Sequence, residues 1–384
     1  MDRRNFIAGA AAPLFVPASA FGANDRISYG VIATGGRGRY IQDRFQKLGG
    51  ECVALCDVYE PNLEAAKKQS PDAKTFLDYN DLLAEKMDAV VIASPDHQHA
   101  PMLFAALSAG KDVYLEKPLS KSLEESVKIV DTVRKSKQIV QVGMQRRSAE
   151  SLIKAKALVD DGILGQITLV KPQWHWNIAK ELDNSPLPGK LDWDRFLGSA
   201  KKRPLEPMRF RRWRYFWDYA GGNMTDQGTH LMDVVLWFSK QSIPTSAICH
   251  GYVAKMKGAE HPDVFSAVFE FPNMMATWTL DYANSYQNGW SITFMGDKGT
   301  MILDEYGYKV FAEPWKPEAA PIYEEKAPVP IESHIQNFMD CMKSRKQPNC
   351  TVDIAARAVA GPHLANQAML AKKQVRLPDN YLAS

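Results

Sequence analysis

The sequence predicts an α/β protein that consists of an N-terminal doubly wound parallel sheet and a C-terminal α+β domain with a large, mostly antiparallel sheet. In the first half, short apolar runs alternate with helix-like stretches, which is typical of βαβ units. In the second half, longer segments alternate apolar and polar residues, which indicates an antiparallel sheet. The 384 residues are 45% hydrophobic and carry a net charge of only +3, so the composition favours a globular chain without a nucleic-acid or membrane partner.

Residues 1–23 are predicted to be a targeting segment rather than a part of the fold. The pair Arg3-Arg4 precedes an apolar stretch that ends near residue 16, and Ala18-Ser19-Ala20 supplies a small-residue cleavage signal. The stretch is too short to cross a bilayer. The pattern resembles a twin-arginine signal, so we expect export of the folded protein to the periplasm or beyond. An unstructured basic N terminus is the alternative.

Apolar runs predict the strands of the first domain, which we expect to span residues 26–147. In a parallel sheet, ligands bind beyond the carboxyl ends of the strands, so the residues that follow each run are candidates for a site. The predicted strands cover residues 27–33, 52–56, 89–93, 113–115 and 139–142, with helices between them that include 97–109 and 123–136.

A glycine-rich turn at residues 34–38, Thr-Gly-Gly-Arg-Gly, follows the first strand. The three positions of a Rossmann-type dinucleotide fingerprint fall on Ala33, Gly35 and Gly38. We expect the alanine to fit the turn with a negative φ. The turn therefore predicts a dinucleotide site, with a plain α/β connection as the alternative.

The residue that ends the second strand indicates which dinucleotide binds. Asp57 stands where a carboxylate accepts the ribose hydroxyls and repels a 2′-phosphate, which favours NAD over NADP. Arg37 and Arg39 lie beside the turn and could meet a phosphate, so NADP remains possible.

Three further strand ends carry polar residues. Lys117 follows the predicted strand at residues 113–115, and a partly desolvated lysine near a cationic nicotinamide would have a lowered pKa, which suits acid–base work on a hydroxyl. The alternative is a surface lysine paired with Glu116, and His97 is interpreted as structural. The candidates for cofactor binding are Thr34, Gly35, Gly36, Arg37, Gly38, Asp57, Pro95, Asp96, His99, Glu116, Lys117 and Gln145.

A block at residues 221–233 combines acids with a histidine. Asp226 and His230 are four residues apart and would share one helix face, with Asp233 three residues further on. A carboxylate that orients an imidazole is a recurrent arrangement for a general base. A buried histidine without chemistry is the alternative. We expect no metal site, because no further clustered His or Asp completes one, and no disulfide framework, because the five cysteines are scattered.

The second domain is expected at residues 148–330, and helices and a tail at residues 331–384 are expected to pack back on both domains. A proline-rich connector at residues 314–330 separates the two segments. The sheet would expose one face, which makes a homo-oligomer through that sheet plausible. Its predicted strands cover residues 166–176, 245–254, 264–271, 275–282, 290–294 and 301–303, and the helices cover 333–343 and 354–371.

Taken together, the motifs resemble the Gfo/Idh/MocA oxidoreductases from about residue 27 to the C-terminal helices. The resemblance rests on the turn at 33–38, on Asp57, on Ser-Pro-Asp-x-x-His at 94–99, on Glu-Lys-Pro at 116–118 and on the block at 221–233. It implies an NAD(P) cofactor, a sugar or polyol substrate, and Lys117, Asp226 and His230 as catalytic residues.

Two departures from the family pattern stand out. The family often has Asn where this chain has Asp96. A subgroup that hydrolyses α-N-acetylgalactosaminides has the motif Thr-His-Gly-x-Gly-Pro, whereas residues 228–233 read Gly-Thr-His-Leu-Met-Asp, which counts against that activity.

The resemblance implies that His230, oriented by Asp226, removes a hydroxyl proton while a hydride passes to NAD and Lys117 stabilises the alkoxide. An exported enzyme would keep its cofactor bound, so a redox-neutral hydrolase or lyase that oxidises the sugar transiently is one alternative. A nicotinamide-binding protein without turnover is another. The candidates for substrate binding are Trp174, Trp176, Arg214, Trp217, Asp226 and His230.

Overall fold

The computed structural model of the protein describes residues 26–382. The targeting segment that was predicted for residues 1–23 lies outside the described residues. Among the described residues, no helix is long and apolar enough to cross a membrane.

The first domain contains six parallel strands, of which the sequence predicted five. Their order in the sheet is β3-β2-β1-β4-β5-β6, so the direction of winding reverses between β1 and β4. Such a reversal opens a crevice at the carboxyl ends of the two strands. The strands are β1 (Ser28–Ile32), β2 (Glu51–Cys56), β3 (Lys74–Phe76), β4 (Ala89–Ile92), β5 (Asp112–Leu115) and β6 (Val140–Val142). β3 was not predicted, because it has three residues, none of them buried, and therefore carries no apolar run.

Helices cover both faces of this sheet. They are α1 (Gly36–Lys47), α2 (Glu60–Gln69), α3 (Tyr79–Leu83), α4 (His99–Ser108) and α5 (Leu123–Arg134). α1 begins inside the glycine turn and has no side-chain cap at Gly35, so its first backbone N–H groups stay available for an anion. α5 begins where Ser122 accepts a hydrogen bond from the Glu125 amide.

The second domain is built on a nine-stranded mixed sheet, ordered β14-β13-β12-β11-β7-β10-β9-β8-β15. β7 and β10 run parallel, whereas the other neighbouring strands are antiparallel, which confirms the mostly antiparallel prediction. β14 lies inside the segment that was interpreted as a connector, because its polar residues Tyr-Glu-Glu-Lys give no apolar signal. The strands are β7 (Ile167–His175), β8 (Ser246–Tyr252), β9 (Val264–Phe271), β10 (Met274–Asp281), β11 (Gly289–Gly296), β12 (Gly299–Asp304), β13 (Gly307–Ala312), β14 (Tyr323–Lys326) and β15 (Val375–Arg376).

One face of the large sheet is buried under helices and the other is open. Along β10, Ala276, Trp278 and Leu280 are fully buried, whereas Met275 on the opposite face is 51% exposed. The helices of this half are α6 (Glu150–Asp160), α7 (Trp193–Leu197), α8 (Pro207–Arg211), α9 (Gly222–Asp226), α10 (Gly228–Ser239), α11 (Glu332–Ser344) and α12 (Val352–Ala371).

The last two helices connect the halves of the molecule. Phe338 of α11 packs edge-on against Phe45 and Tyr114 of the first domain. α12 contributes Val359 to the core of the first domain and Leu364 to the core of the second. These contacts hold the two sheets together on either side of the crevice.

Candidate functional site

The glycine turn brings α1 very close to β1. A Cβ atom at Gly38 would lie 2.1 Å from the carbonyl oxygen of Ala33, so no larger residue fits there without displacing the backbone. Ala33 itself has a φ of 67°, so our expectation of a negative φ is wrong. The left-handed conformation is needed because the chain must change direction directly after β1. This conformation costs an alanine residue about 1 kcal/mol of folding free energy.

Asp57 is held at the end of β2 by backbone amides. Its carboxylate accepts hydrogen bonds from the amides of Thr34 at 2.7 Å and of Tyr59 at 2.8 Å. Burial raises the pKa of Asp57 to about 6. The carboxylate is therefore fixed beside the glycine turn, where a ribose would lie.

The two arginines near the turn are already engaged. Arg37 forms an ion pair with the buried Glu116, with 2.8 Å between Nη2 and Oε1. Arg39 donates to the carbonyl of Thr34 at 2.7 Å. Arg37 thus links the turn to the residue that follows β5.

A cavity of about 520 Å³ occupies the crevice. On the side of the first domain it is lined by the glycine turn, by Asp57 and by Pro95, and on the other side by residues of 195–214. The segment 188–213 reaches this edge because the amide of Asp192 donates to the carbonyl of Val58 at 2.8 Å, and the hydroxyl of Tyr59 donates to the carbonyl of Pro188 at 2.5 Å. A dinucleotide in this cavity would be covered by the second domain.

Lys117 and Asp226 meet between the two domains. The Nζ atom of Lys117 lies 2.6 Å from Oδ1 of Asp226 and 2.9 Å from its carbonyl oxygen. Arg214, which also lines the cavity, approaches the same carboxylate at 3.3 Å. The two cations outweigh burial and hold the pKa of Asp226 well below its usual range. Lys117 is therefore not a surface lysine paired with Glu116.

Among the described residues, His230 and Asp226 form no hydrogen bond or ion pair with each other, so the predicted orienting contact is absent there. α9 ends at Asp226 and α10 begins at Gly228, and Gln227 between them keeps a helical conformation, with φ −86° and ψ −39°. Asp233 instead binds Arg147 at 2.7 Å. Within the described part of the chain, Nδ1 of His230 is buried without a hydrogen-bond partner.

Burial is the main reason that the pKa of His230 lies well below its ordinary value, and the charges of Lys117 and Arg146 act in the same direction. The imidazole is therefore neutral at physiological pH.

Asp96 is a buried acid beside this cluster. Its side chain is almost completely enclosed, and Oδ2 lacks a partner among the described residues. Burial, followed by the charge of Asp226, raises the pKa of Asp96 to about 8. At neutral pH the group is a carboxylic acid, which can donate and accept a hydrogen bond as the amide of an asparagine does.

The variant Asp96→Asn is expected to be more stable than the wild type, by a margin that grows with pH. Because the folded pKa is raised, the acid stabilises the fold most below its unfolded pKa near 3.8, and this contribution is lost as the pH rises to about 8. Urea unfolding of both proteins from pH 4 to pH 9 measures the difference. A difference that does not change with pH would show that Asp96 is ionised in the fold.

The remaining candidates for cofactor binding differ in position. His99 is buried, with Nδ1 2.7 Å from the carbonyl of Pro118 and Nε2 3.0 Å from that of Ser94, so its ring joins two strand-end loops. Both ring nitrogens of His99 therefore face backbone carbonyls. Gln145 is in a 3₁₀ turn after β6, and its Oε1 is buried without a partner among the described residues.

The aromatic candidates separate into two groups. Trp174 packs edge-on against Trp176 at 5.1 Å, and Trp176 stacks on Tyr282, whose hydroxyl accepts a hydrogen bond from Gln227 beside Asp226. Trp217 belongs to the second group. Its ring centre lies 3.7 Å from that of His261, and its backbone amide donates a hydrogen bond to the carboxylate of Glu260.

Sequence reasoning missed Tyr282 and Arg146, which the fold brings to the site. Tyr282 follows directly after β10 and reaches the site through the pairing of that strand with β7. Arg146 lies 3.8 Å from the ring centre of Trp290, which faces Trp174 across the β7–β11 pair. No local motif marks either residue. Among the described residues, no cluster of His, Cys, Asp and Glu could hold a metal ion.

A doubly wound sheet with a glycine turn after its first strand and an acid after its second defines a dinucleotide-binding protein. Residues 27–144 match the model of an oxidoreductase family with an NAD-binding Rossmann fold, and residues 152–302 match the Gfo/Idh/MocA C-terminal domain. The chain belongs to the Gfo/Idh/MocA family, as its motifs predicted, and its N-terminal domain is an NAD-binding Rossmann domain.

Two of the similar proteins are inositol 2-dehydrogenases. Inositol 2-dehydrogenase of Rubrobacter xylanophilus is 35% identical over 160 residues, which are 41% of this chain and 46% of that protein. Inositol 2-dehydrogenase of Salmonella typhimurium is 34% identical over 134 residues, which are 34% of this chain and 40% of that protein. The matched segment thus spans less than half the length of these relatives.

Solved structures share the fold over most of the chain. Levoglucosan dehydrogenase in complex with NADH and levoglucosan superimposes with a TM-score of 0.74 and 16% identity, covering 92% of this chain and 100% of that one. Aldose-aldose oxidoreductase from Caulobacter crescentus gives a TM-score of 0.71 at 18% identity, with coverage of 92% and 100%.

Proposed function

We propose that the protein is an NAD-dependent dehydrogenase that transfers a hydride between a sugar or polyol hydroxyl and a nicotinamide held in the crevice. The observation that carries this proposal is the 2.6 Å contact between Lys117 of the cofactor domain and Asp226 of the second domain. Arg214 contacts the same carboxylate and also lines the cavity, so the pair adjoins the place where a dinucleotide would end. The names of the relatives, inositol 2-dehydrogenases, agree with this chemistry.

The residues of the crevice fit the cofactor. Gly35 and Gly36 line the cavity at the start of α1, where uncapped amides suit a pyrophosphate, and Asp57 would accept the ribose hydroxyls. NAD bound there supplies the hydride acceptor.

Side chains of the protein bind the hydroxyl proton of the substrate and stabilise the negative charge that develops on its oxygen. His230 is neutral, and it accepts the proton of the substrate hydroxyl. Lys117 donates a hydrogen bond to the oxygen on which negative charge develops, and Asp226 holds the ammonium group in place. Enclosure between the domains keeps these groups largely out of water and strengthens their interactions.

The variant Asp57→Ala is expected to bind NAD about 10- to 100-fold more weakly, because the ribose hydroxyls lose a charged acceptor. NADP binding should weaken less or improve, since the repulsion of the 2′-phosphate is removed. Titrations of the purified protein with both nucleotides measure the change. Asp72→Ala, an exposed acid of the same domain, is the control and should bind as the wild type does. An unchanged NAD affinity in Asp57→Ala would contradict this assignment.

The function is tested by mixing the NAD-loaded protein with a panel of sugars and polyols. A dehydrogenase produces the absorbance of reduced nicotinamide together with a keto-sugar that can be trapped. The absence of both, with every sugar and at every pH, would overturn the proposal.

A redox-neutral hydrolase or lyase is the second candidate. It is favoured by the cover that the segment 188–213 forms over the cavity, because a retained cofactor must receive its hydride back. This activity would cleave a glycoside with no net change in the nicotinamide. A nicotinamide-binding protein without turnover is the third candidate, and unchanged behaviour of Lys117 and His230 variants in all assays would favour it.

Export and assembly complete the proposal. Arg3-Arg4 with the following apolar stretch supports export by the twin-arginine route, which detection of the processed protein in the periplasm would test.

The open face of the large sheet exposes Ile248, Tyr252 and Met275 at 40%, 64% and 51%, which supports a homo-oligomer through that face. Light scattering of the wild type and of Tyr252→Glu measures the oligomeric state.

A further inference from the structure

A long connection of the second domain crosses to the cofactor domain. Residues 176–192, which the structure describes in full, join β7 to α7 and contain no helix and no strand beyond isolated bridges. Connections of this length without secondary structure are uncommon in compact domains and usually have a function. Residues 183–190 are all exposed or half-buried, so apolar packing does not hold this part of the connection in place.

Residues 188–192, which we call the latch, form a short antiparallel bridge with the chain that follows Asp57. Leu191 pairs with Tyr59 at the centre of this bridge. The latch is therefore held mainly by backbone hydrogen bonds on either side of the pair. They join the amide of Glu60 to the carbonyl of Lys190 at 2.9 Å and the amide of Asp192 to the carbonyl of Val58 at 2.8 Å.

Tyr59 connects the latch to the place where a ribose would lie. Its backbone amide donates to the carboxylate of Asp57 at 2.8 Å, and its hydroxyl donates to the carbonyl of Pro188 at 2.5 Å. Its ring packs edge-on against that of Phe210, with 4.9 Å between the ring centres, and Phe210 lines the cavity. One residue thus contacts the acid, the latch and the cover of the cavity.

The residues that cover the cavity adjoin both ends of the latch. Arg195 of α7 follows the latch and lies opposite Asp78, with 3.5 Å between Nε and Oδ2, and the two residues line the cavity from different domains. Arg211, which also lines the cavity, donates to the carbonyl of Pro186 at 2.9 Å, directly before the latch. Separation of the latch from the cofactor domain would therefore loosen the cover.

We propose that the latch controls the uptake and release of the dinucleotide, so that NAD exchanges only when residues 188–192 separate from residues 58–60. Segments that are held by hydrogen bonds and bury few apolar atoms open locally at a low cost in free energy, and the opening of such a cover can limit the release of a ligand. The proposal rests on NAD binding in the crevice, which the proposed function shares, and it does not depend on hydride transfer to a sugar.

Tyr59→Phe tests the latch without touching the acid. It removes the hydroxyl that binds Pro188 and keeps the amide that binds Asp57. Uptake of radiolabelled NAD and its release into excess unlabelled NAD are both expected to become about 2- to 10-fold faster, the factor of one hydrogen bond. Loss of a contact to the nucleotide would accelerate release alone. Tyr306→Phe, in a side chain that is 70% exposed on the second domain, is the control and should keep wild-type rates.

A disulfide across the bridge tests the same step in the opposite direction. The hydrogen bonds flank Tyr59 and Leu191, and in such a pair the Cα atoms are about 4.5 Å apart, which a disulfide can span. After oxidation, the double variant Tyr59→Cys, Leu191→Cys is expected to release bound NAD at least about tenfold more slowly than after reduction, and the emptied protein should take NAD up more slowly by a similar factor. The five native cysteines are buried.

Two results would overturn the proposal. They are wild-type rates, or faster release alone, in a folded Tyr59→Phe, and exchange that the closed disulfide leaves unchanged. If the disulfide does not close, the rates of Tyr59→Phe decide alone. Exchange that depends on the latch, without reduced nicotinamide from any sugar, would support the latch and contradict the proposed function. Sugar oxidation with exchange that ignores the latch would do the reverse, so the two failures are distinguishable.

Discussion

Lys117→Met is expected to lower kcat/KM by about 10³-fold, because it removes the ammonium group that would stabilise the developing alkoxide. The loss should fall mainly on kcat, since the interaction is strongest when the oxygen carries negative charge. NAD affinity should change little, because Asp57 and the glycine turn would hold the far end of the dinucleotide. Steady-state kinetics on any substrate found in the sugar panel measure the effect.

The control is Lys128→Met, an exposed lysine of α5 that should keep wild-type kinetics. Arg214 still neutralises Asp226 in Lys117→Met, so the variant is expected to fold, and its melting temperature checks this. A folded Lys117→Met that retains activity within a factor of ten would remove Lys117 from the chemistry.

Gly38→Ala is expected to destabilise the first domain by at least about 3 kcal/mol and to abolish NAD binding. The added methyl group would meet the carbonyl oxygen of Ala33 at 2.1 Å, and that oxygen belongs to the backbone and cannot rotate away. α1 would have to move from β1, which displaces the turn that receives the pyrophosphate. Urea unfolding and NAD titration measure both effects.

Gly36→Ala is the matched control for this substitution. Nothing lies within 4 Å of a Cβ atom at Gly36, so the variant should be about as stable as the wild type. Equal stability of the two variants would show that the close contact between α1 and β1 is not required.

The cofactor domain was largely predictable, because its chemistry is local in sequence. Each buried strand is an apolar run, and each polar group that faces the crevice follows such a run directly. Glu116, for example, follows β5 directly and binds Arg37 of the turn. β3 was missed because an edge strand of three residues without a buried side chain leaves no such signal.

The second half of the site was only partly predictable. The spacing of Asp226 and His230 indicated a shared helix face, but the carboxylate of Asp226 binds Lys117 of the first domain instead. The position of Arg146 depends on the register of β7 and β11, which sets Trp174 opposite Trp290. Contacts of this kind depend on strand pairing between distant segments, and no pattern along the chain encodes them.

The central claim is that a nicotinamide dinucleotide lies in the crevice so that its reacting carbon reaches Lys117 and His230. Mass spectrometry of the nucleotide released on denaturing the purified protein, followed by titration of the emptied protein with NAD, tests it most directly. We predict that NAD is released or, if lost during purification, binds again in a one-to-one ratio. A chain that neither retains a nicotinamide nucleotide nor binds one when it is added would contradict the account.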